Sequence, residues 1–159
     1  MSTSRSVDYD DLLLDRQLCF ALHAASRAVV REYTPLLGEL GLTYPQYVTM
    51  MVLWRDPARS HAVGELGDAV QMDSGTLTPL LKRLEREGLV TRTRDHADER
   101  RVNVSLTDAG LALRDRAAGV PRAMAKRFGL TVDEIRTLKD QLERLTTTLT
   151  TDPDRDHEL

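Results

Sequence analysis

The stretch VGELGDAVQMDSGTLTPLLKRLEREGLVTRTR, residues 63–94, decides the fold. Its beginning predicts a short helix over residues 63–70. Asp73 is a typical N-cap for a second helix, which Gly88 ends as the C-terminal glycine. Only Gln71 and Met72 separate the two helices, and two helices joined by so short a turn are typical of a helix-turn-helix.

The residues that follow Gly88 change from the period of a helix to the alternation of a strand. Residues 89–94 and 101–106 predict two strands, and the polar segment 95–99 predicts the tip of a hairpin between them. A hairpin directly behind the second helix indicates a winged helix-turn-helix. We expect this DNA-binding region to occupy residues 56–106.

The chain on both sides of this region also predicts helices. Apolar side chains three and four apart mark one helix face near the N-terminus, before a break at Thr34 and Pro35. Thr43 with Gln46, and Thr131 with Glu134, resemble capping boxes. The predicted flanking helices cover residues 11–31, 43–54, 107–128 and 131–148.

The predicted fold class is therefore mainly α with a small β-hairpin (α+β), a winged helix-turn-helix with long N- and C-terminal helices. A chain of 159 residues is the usual size of one domain, which we expect to span residues 1–159. The flanking helices exceed what a small winged domain needs, so residues 11–55 and 107–150 are predicted to form the dimerisation region of a homodimer. Residues 151–159 are predicted to be a disordered tail.

Composition limits the classes of protein that this chain can represent. The N-terminus is polar and acidic, unlike a signal peptide, and no stretch approaches the roughly 20 apolar residues that span a bilayer. We therefore expect a cytoplasmic protein with no membrane partner. The single cysteine, Cys19, can form neither an internal disulfide nor a cysteine-based zinc site, and the sequence predicts no metal and no cofactor.

Positive charge is concentrated where a recognition helix and a wing would meet DNA. Seven basic and five acidic side chains lie between residues 82 and 101, in a chain whose net charge is −3. Hydroxyls and a lysine on the second helix suit the major groove, and Arg100, braced by Asp98, suits the minor groove of A·T-rich DNA. The predicted DNA contacts are Ser74, Thr76, Thr78, Pro79, Lys82, Arg83, Arg92, Arg94, Asp98 and Arg100. A dimer of such modules binds two half-sites about one helical turn apart, which predicts a palindromic operator.

Four segments of the chain resemble a known family. MDSGTLTPLLKRLEREGLVTR and DERRVNVSLTDAG are similar to segments shared widely among the MarR family of bacterial repressors. LDRQLCFALHAASRAV and GLTYPQYVTMMVLW resemble, more narrowly, the organic hydroperoxide resistance regulators, because they carry the cysteine and tyrosines at that branch's spacing. The resemblance covers about residues 11–150.

The resemblance implies a dimeric repressor that releases DNA when its cysteine is oxidised by organic hydroperoxides or hypochlorite. The reactive cysteine falls on Cys19, and the two tyrosines that hydrogen-bond it fall on Tyr33 and Tyr44. Fourteen residues of continuous helix rise about 21 Å, so Tyr33 cannot reach Cys19 of its own chain along such a helix. The resemblance implies that the contact crosses the dimer. Some members have a second, resolving cysteine that this chain lacks, which implies a mixed disulfide between Cys19 and a low-molecular-weight thiol.

Three other interpretations of the sequence remain open at this point. Cys19 is structural in the first, and a small phenolic ligand releases the repressor from DNA. The second is a thiol peroxidase, which multiple-turnover peroxide consumption would reveal; no resolving cysteine or metal cluster supports it, so we expect no enzyme. The third is an architectural DNA-binding protein, whose affinity would be indifferent to sequence and strongly dependent on salt.

Overall fold

The computed structural model of this 159-residue chain describes residues 9–95, 97–98 and 100–151. Two short 3₁₀ turns, Asp10–Leu12 and Leu14–Arg16, come first. The helices and strands that follow are α1 (Leu18–Gly38), α2 (Tyr44–Arg55), β1 (His61–Ala62), α3 (Val63–Val70), α4 (Ser74–Arg86), β2 (Val90–Arg94), β3 (Val102–Leu106), α5 (Asp108–Ala117), α6 (Val120–Arg127) and α7 (Val132–Thr151). This order of helices around a small sheet confirms the predicted fold class.

The helix-turn-helix consists of α3 and α4, at the predicted positions. Gln71, in the left-handed region with φ 54°, ends α3. Asp73 then begins α4, and its carboxylate accepts a hydrogen bond from the backbone N–H of Thr76 at 2.9 Å. Gly88 follows α4 with φ 74°, which only a glycine adopts without strain. Local signals in the sequence, Asp73 and Gly88, thus determine the beginning and the end of α4.

The wing is the larger part of a three-stranded antiparallel sheet with strand order β1-β3-β2. Strands β2 and β3 pair along their length, with Arg92 opposite Val104. The two-residue strand β1 pairs His61 with the same Val104 from the other side. Strand β1 was not predicted, because two residues are too few to show alternation.

The hydrophobic core joins α2 to the winged region. Met50 and Leu53 of α2 are buried with Leu81 and Leu84 of α4. Leu37, Leu66, Leu77, Val90, Val104 and Leu113 belong to the same core, which therefore includes residues of α1 and α3–α5 and of the sheet. This core lies in the first of two compact units of the chain, which ends at Val120.

Helix α1 differs from its prediction at both ends. It begins at Leu18, because residues 10–16 form 3₁₀ turns, and it continues through Pro35 to Gly38. Pro35 removes one hydrogen bond from the helix, but it lies on the exposed side, where water can bind the carbonyl of Arg31. The proline signal at residues 34–35 therefore did not end the helix.

The predicted helix over residues 107–128 is two helices. Thr107 caps α5 as expected, accepting a hydrogen bond from the N–H of Gly110 at 3.0 Å. Helix α5 ends at Ala117, before Gly119 and Pro121, and Pro121 has no N–H with which to continue the helical ladder.

The second compact unit of the chain begins at Pro121 and contains most of α6 and all of α7. Thr131 and Glu134 form the predicted capping box at the start of α7, with the N–H of Thr131 donating to the Glu134 carboxylate at 2.7 Å. Helix α7 includes Thr151, the first residue of the predicted tail, and residues 152–159 lie outside the described part of the chain.

Candidate redox centre and DNA-binding surface

Cys19 lies in the first turn of α1 and is exposed in its own chain. The side chains on either side of it are apolar and also exposed, 64% for Leu18 and 45% for Phe20. The first turn of a helix favours negative charge, since its backbone N–H groups have no helical partners. The sulfur is therefore accessible at the beginning of the helix, among apolar side chains, and is not part of the core of its own chain.

The structure brings Tyr33 and Tyr44 together. Their ring centroids are 4.8 Å apart, with the rings tilted by 47°. Tyr47, one turn further along α2, contacts Tyr33 with a centroid distance of 5.8 Å. These three phenols form a cluster, here called the tyrosine cluster, where the second half of α1 meets the beginning of α2.

The pKa of Tyr33 is raised mainly by burial and to a smaller extent by the neighbouring Tyr44. The pKa of Tyr47 is raised to about 12, mainly by burial and to a smaller extent by Tyr33 and then Tyr44. Tyr33 and Tyr47 therefore keep their protons at physiological pH, and each phenolic O–H can donate a hydrogen bond.

Within one chain the thiol and the tyrosine cluster are far apart. Cys19 and Tyr33 lie on the same continuous helix, α1, and the 14 residues between their positions correspond to a rise of about 21 Å. The predicted helix ended at residue 31, but α1 continues past Tyr33, so the rise applies to the whole separation. A hydrogen bond between Tyr33 and Cys19 requires a second copy of the chain.

Packed side chains lead from the tyrosine cluster to the root of the wing. Tyr47 contacts Trp54 at the other end of α2, with ring centroids 6.3 Å apart. The indole N–H of Trp54 donates to the carbonyl oxygen of Gly110 at 2.8 Å. Gly110 in turn lies against Leu89, the residue before β2. Tyr47 and Trp54 are not among the site residues predicted from the sequence, although both are apolar-face residues at helical spacing in α2.

Most of the predicted DNA-contacting side chains on α4 are exposed. Thr78 alone is half-buried, and the exposed members are Ser74, Thr76, Pro79, Lys82 and Arg83. A shallow open groove on this helix is lined by Pro79, Lys82, Glu85 and Arg86. The hydroxyls and cations expected for the major groove are therefore accessible on the outside of α4.

Arg92 is placed differently from the other predicted contacts. Its guanidinium Nε donates to Glu85 Oε2 at 2.8 Å, and its backbone N–H donates to Glu85 Oε1 at 3.1 Å. The side chain of Arg92 is only 22% exposed, compared with 38% for Glu85. The hydrogen bond from the Arg92 guanidinium holds the pKa of Glu85 below its usual range, so Glu85 is charged at neutral pH. Glu85 is not among the site residues predicted from the sequence, where its only signal was its charge.

The predicted residues at the far end of the wing are exposed. Arg94 is the last residue of β2, and Arg100 lies in a turn before β3. Asp98 Oδ1 accepts a hydrogen bond from the backbone N–H of Arg100 at 3.1 Å. Asp98 therefore orders the backbone at Arg100 through this bond.

Comparison with known proteins shows what class of protein this surface belongs to. A family model described as the transcriptional regulator SarA/Rot matches residues 31–116. The organic hydroperoxide resistance transcriptional regulator of Bacillus subtilis is 40% identical over 141 residues, which cover 89% of this chain and 95% of that protein. The chain belongs to the MarR family of transcriptional regulators, in its organic hydroperoxide resistance branch. Membership in this family of regulators confirms the prediction that the chain is not an enzyme.

Two further proteins extend the comparison. The HTH-type transcriptional regulator TtmR of Methylorubrum extorquens is 48% identical, over 84% of this chain and 67% of that protein. AbfR of Staphylococcus epidermidis, solved in its reduced form bound to DNA, has a TM-score of 0.71 and 31% identity, covering 90% of this chain and 99% of that chain. AbfR has also been solved overoxidised on DNA and with a disulfide.

Among the described residues, no helix is both long and apolar enough to cross a membrane. Within the same part of the chain, no three His, Cys, Asp or Glu side chains are grouped as metal ligands would be.

Proposed function

We propose that this MarR-family protein is a redox-sensing transcriptional repressor. Its homodimer binds a palindromic, A·T-rich promoter operator while Cys19 is reduced, and releases it when organic hydroperoxides or hypochlorite oxidise Cys19. The observation that carries the proposal is the exposed Cys19 at the beginning of α1, with Tyr33 about 21 Å further along the same helix and Tyr44 of α2 packed against Tyr33. A regulator of promoters acts where the DNA is, which places this one in the cytoplasm.

The homodimer completes the redox centre in this proposal. Tyr33 of the partner subunit and Tyr44 of the partner subunit donate hydrogen bonds to the Cys19 sulfur, which stabilises its negative charge. The helical regions 11–55 and 107–150 supply the dimer interface. Exposed apolar side chains are available for it at Leu12, Leu13, Leu14, Leu18, Phe20, Leu138, Leu142 and Leu149.

The proposed chemistry has two steps at Cys19. The thiolate attacks the terminal oxygen of the hydroperoxide, the O–O bond breaks, and with one proton the products are a sulfenic acid on Cys19 and an alcohol. A low-molecular-weight thiol then attacks the sulfenic sulfur, forming a mixed disulfide and releasing water. Overoxidised AbfR has been solved bound to DNA, which supports assigning release in this protein to the bulkier mixed disulfide.

The proposed DNA interface has a groove part and a wing part. The α4 side chains enter the major groove, and Arg100 enters the minor groove beside it. The groove residues are Ser74, Thr76, Thr78, Pro79, Lys82 and Arg83, and those of the wing are Arg94, Asp98 and Arg100. The exposure of nearly all of these side chains supports this assignment.

The first experiment compares the wild-type protein with the Cys19→Ser variant. Operator binding is followed by fluorescence anisotropy after one equivalent of cumene hydroperoxide, with and without glutathione, while mass spectrometry identifies the product at Cys19. We expect the wild type with peroxide and thiol to release DNA as a mixed disulfide, and the variant to stay bound. Release of the variant by peroxide would refute redox sensing through Cys19, and release of both proteins by a phenolic ligand would favour the alternative effector.

A second experiment tests whether the redox centre is shared between subunits. Cys19→Ser and Tyr33→Phe homodimers should each respond poorly to peroxide. A heterodimer of one subunit of each kind retains one intact pairing, Cys19 of the Tyr33→Phe subunit against the unchanged Tyr33 of the other. We expect it to react at about the wild-type rate at one site per dimer. A heterodimer as insensitive as the Tyr33→Phe homodimer would contradict the shared centre.

A further inference from the structure

Arg92 does not have the position of a side chain that binds DNA. Side chains alternate along a strand, so Arg92 lies on the same face of β2 as the buried Val90, while the exposed Thr91 and Thr93 occupy the other face. Its cross-strand neighbour Val104 is also fully buried. The guanidinium therefore extends from the core side of the wing toward α4, where Glu85 binds it.

Glu85 makes two hydrogen bonds to this one residue. Strand β2 is an edge strand, because β3 lies between it and β1. An N–H on the outer side of an edge strand has no strand partner. Glu85 Oε1 accepts that N–H from Arg92 while Oε2 accepts Nε. The carboxylate thus binds both the backbone and the side chain of the wing, and it does so from the recognition helix.

The position of Glu85 is electrostatically unfavourable for a DNA-binding surface. It lines the same shallow groove as Lys82 and Arg86. A carboxylate there repels phosphate, so an acid at this position weakens binding unless it has another effect. Holding the wing in place is such an effect.

We propose that Glu85 and Arg92 are positioning residues for DNA binding, which together form a clamp that fixes the wing against the recognition helix. The clamp sets the distance between the α4 contacts in the major groove and Arg100 at the end of the wing. This inference rests on the DNA-binding part of the proposed function and is independent of redox sensing.

The clamp and a direct phosphate contact by Arg92 predict opposite results for Glu85→Ala. If Glu85 only screens Arg92, its removal frees a cation and tightens DNA binding. If it forms the clamp, its removal loosens the wing and weakens binding, by about 3- to 10-fold for a partly exposed pair. The matched control is Glu87→Ala, which removes the same charge from the end of α4 and releases Arg83, its partner one turn away within that helix. The control should bind DNA as the wild type does, or more tightly.

The measurement uses the full-length reduced protein and a duplex that the wild type selects from a random library. Affinity is measured across a salt series, since each lost phosphate contact lowers the salt slope by about 0.9. We expect Arg92→Ala, Arg92→Lys and Glu85→Ala to weaken binding and to lower the salt slope to the same extent, because each variant releases the wing together with its phosphate contacts. Hydroxyl-radical footprints should lose protection at the wing and keep it at the α4 sites.

Several results would overturn the clamp. One is an affinity of Glu85→Ala that equals or exceeds that of the wild type, as in the Glu87→Ala control. Another is a lower salt slope for Arg92→Ala combined with near wild-type binding by Arg92→Lys, which keeps the charge. Because Arg92→Lys keeps the positive charge but lacks the Nε that donates to Glu85, it remains informative if Glu85→Ala fails to fold. Failure of the wild type to select any duplex would refute the DNA-binding function itself.

Discussion

Replacing Gly110 by alanine tests how the wing is attached to the rest of the core. A Cβ atom at Gly110 would lie 2.0 Å from the carbonyl oxygen of Leu89 and 3.2 Å from a methyl group of Leu106. Ordinary contact begins near 3.4 Å, so the backbone before β2 and the beginning of α5 must separate by roughly 1.4 Å. The Leu89 carbonyl belongs to the backbone, so a change of side-chain rotamer cannot relieve this contact.

The cost of this separation follows from the hydrogen bonds made at Leu89 and at Gly110. The N–H of Thr107 donates to Leu89 at 3.1 Å, and the indole of Trp54 donates to the Gly110 carbonyl at 2.8 Å. Losing each bond costs about 1 kcal/mol, and overpacking adds about 1–3 kcal/mol. We therefore expect Gly110→Ala to lower the free energy of unfolding by about 3–5 kcal/mol.

Urea titration followed by Trp54 fluorescence is the natural assay, since Trp54 is the single tryptophan of the chain and bonds to the altered residue. All proteins are compared at one concentration, because a dimer's stability depends on it. The control is Gly64→Ala, an exposed position in α3 where a Cβ meets nothing within 4 Å. It should be as stable as the wild type or up to about 1 kcal/mol more stable. An unfolding free energy of Gly110→Ala within about 1 kcal/mol of the wild type would refute the close-contact argument.

Three further predictions concern stability. Leu84→Ala should lower the free energy of unfolding in urea by about 2–5 kcal/mol, because Leu84 is fully buried; a smaller loss would contradict its place in the core. The backbone hydrogen bond from Thr76 lowers the pKa of Asp73 in the folded protein. The stabilisation by this cap is therefore complete above the pKa that the carboxyl has in the unfolded chain, and it is lost as the pH falls through the lower pKa of the folded state. Asparagine caps a helix without titrating, so below about pH 4 the melting temperature of Asp73→Asn should fall less than that of the wild type. Burial raises the pKa of Tyr47 from 10.0 to about 12, so its contribution is complete below pH 10 and is lost between pH 10 and 12. Circular dichroism should therefore show less unfolding of Tyr47→Phe than of the wild type in that range. Equal unfolding of the two proteins would contradict the raised pKa of Tyr47.

The winged region could be predicted because its structure is set by local signals. Asp73 as the N-cap of α4 and Gly88 with its positive φ both act within a few residues of themselves. Thr43 and Thr131 begin their helices in the same way. Local bonds of this kind do not depend on the rest of the fold, so the sequence alone was enough to place these helix ends.

The features that the sequence did not predict depend on distant contacts. Strand β1 exists because His61 pairs with Val104, more than 40 residues away, and two residues have no pattern of their own. Helix α1 continues through Pro35 because the proline falls on its exposed side, which depends on the packing of the whole helix. Arg92 was grouped with the DNA contacts by its charge, although alternation along β2 already placed it on the face of Val90. Its charge predicts a DNA contact, whereas its strand face predicts a contact with the rest of the protein. The hydrogen bonds between Arg92 and Glu85 favour the prediction from the strand face.

The position of the tyrosine cluster explains how a signal at the surface of a dimer could act on DNA binding. Tyr33 contacts Tyr47, which contacts Trp54, and Trp54 is bonded to Gly110 at the root of the wing. A close-packed interior has no spare volume, so moving one of these rings requires its neighbours to move or repack. Under the proposed function, a mixed disulfide on Cys19 of the partner subunit displaces Tyr33 at one end of this series. The other end is where the wing joins the core, and the wing must stay in register with α4 for both to contact DNA.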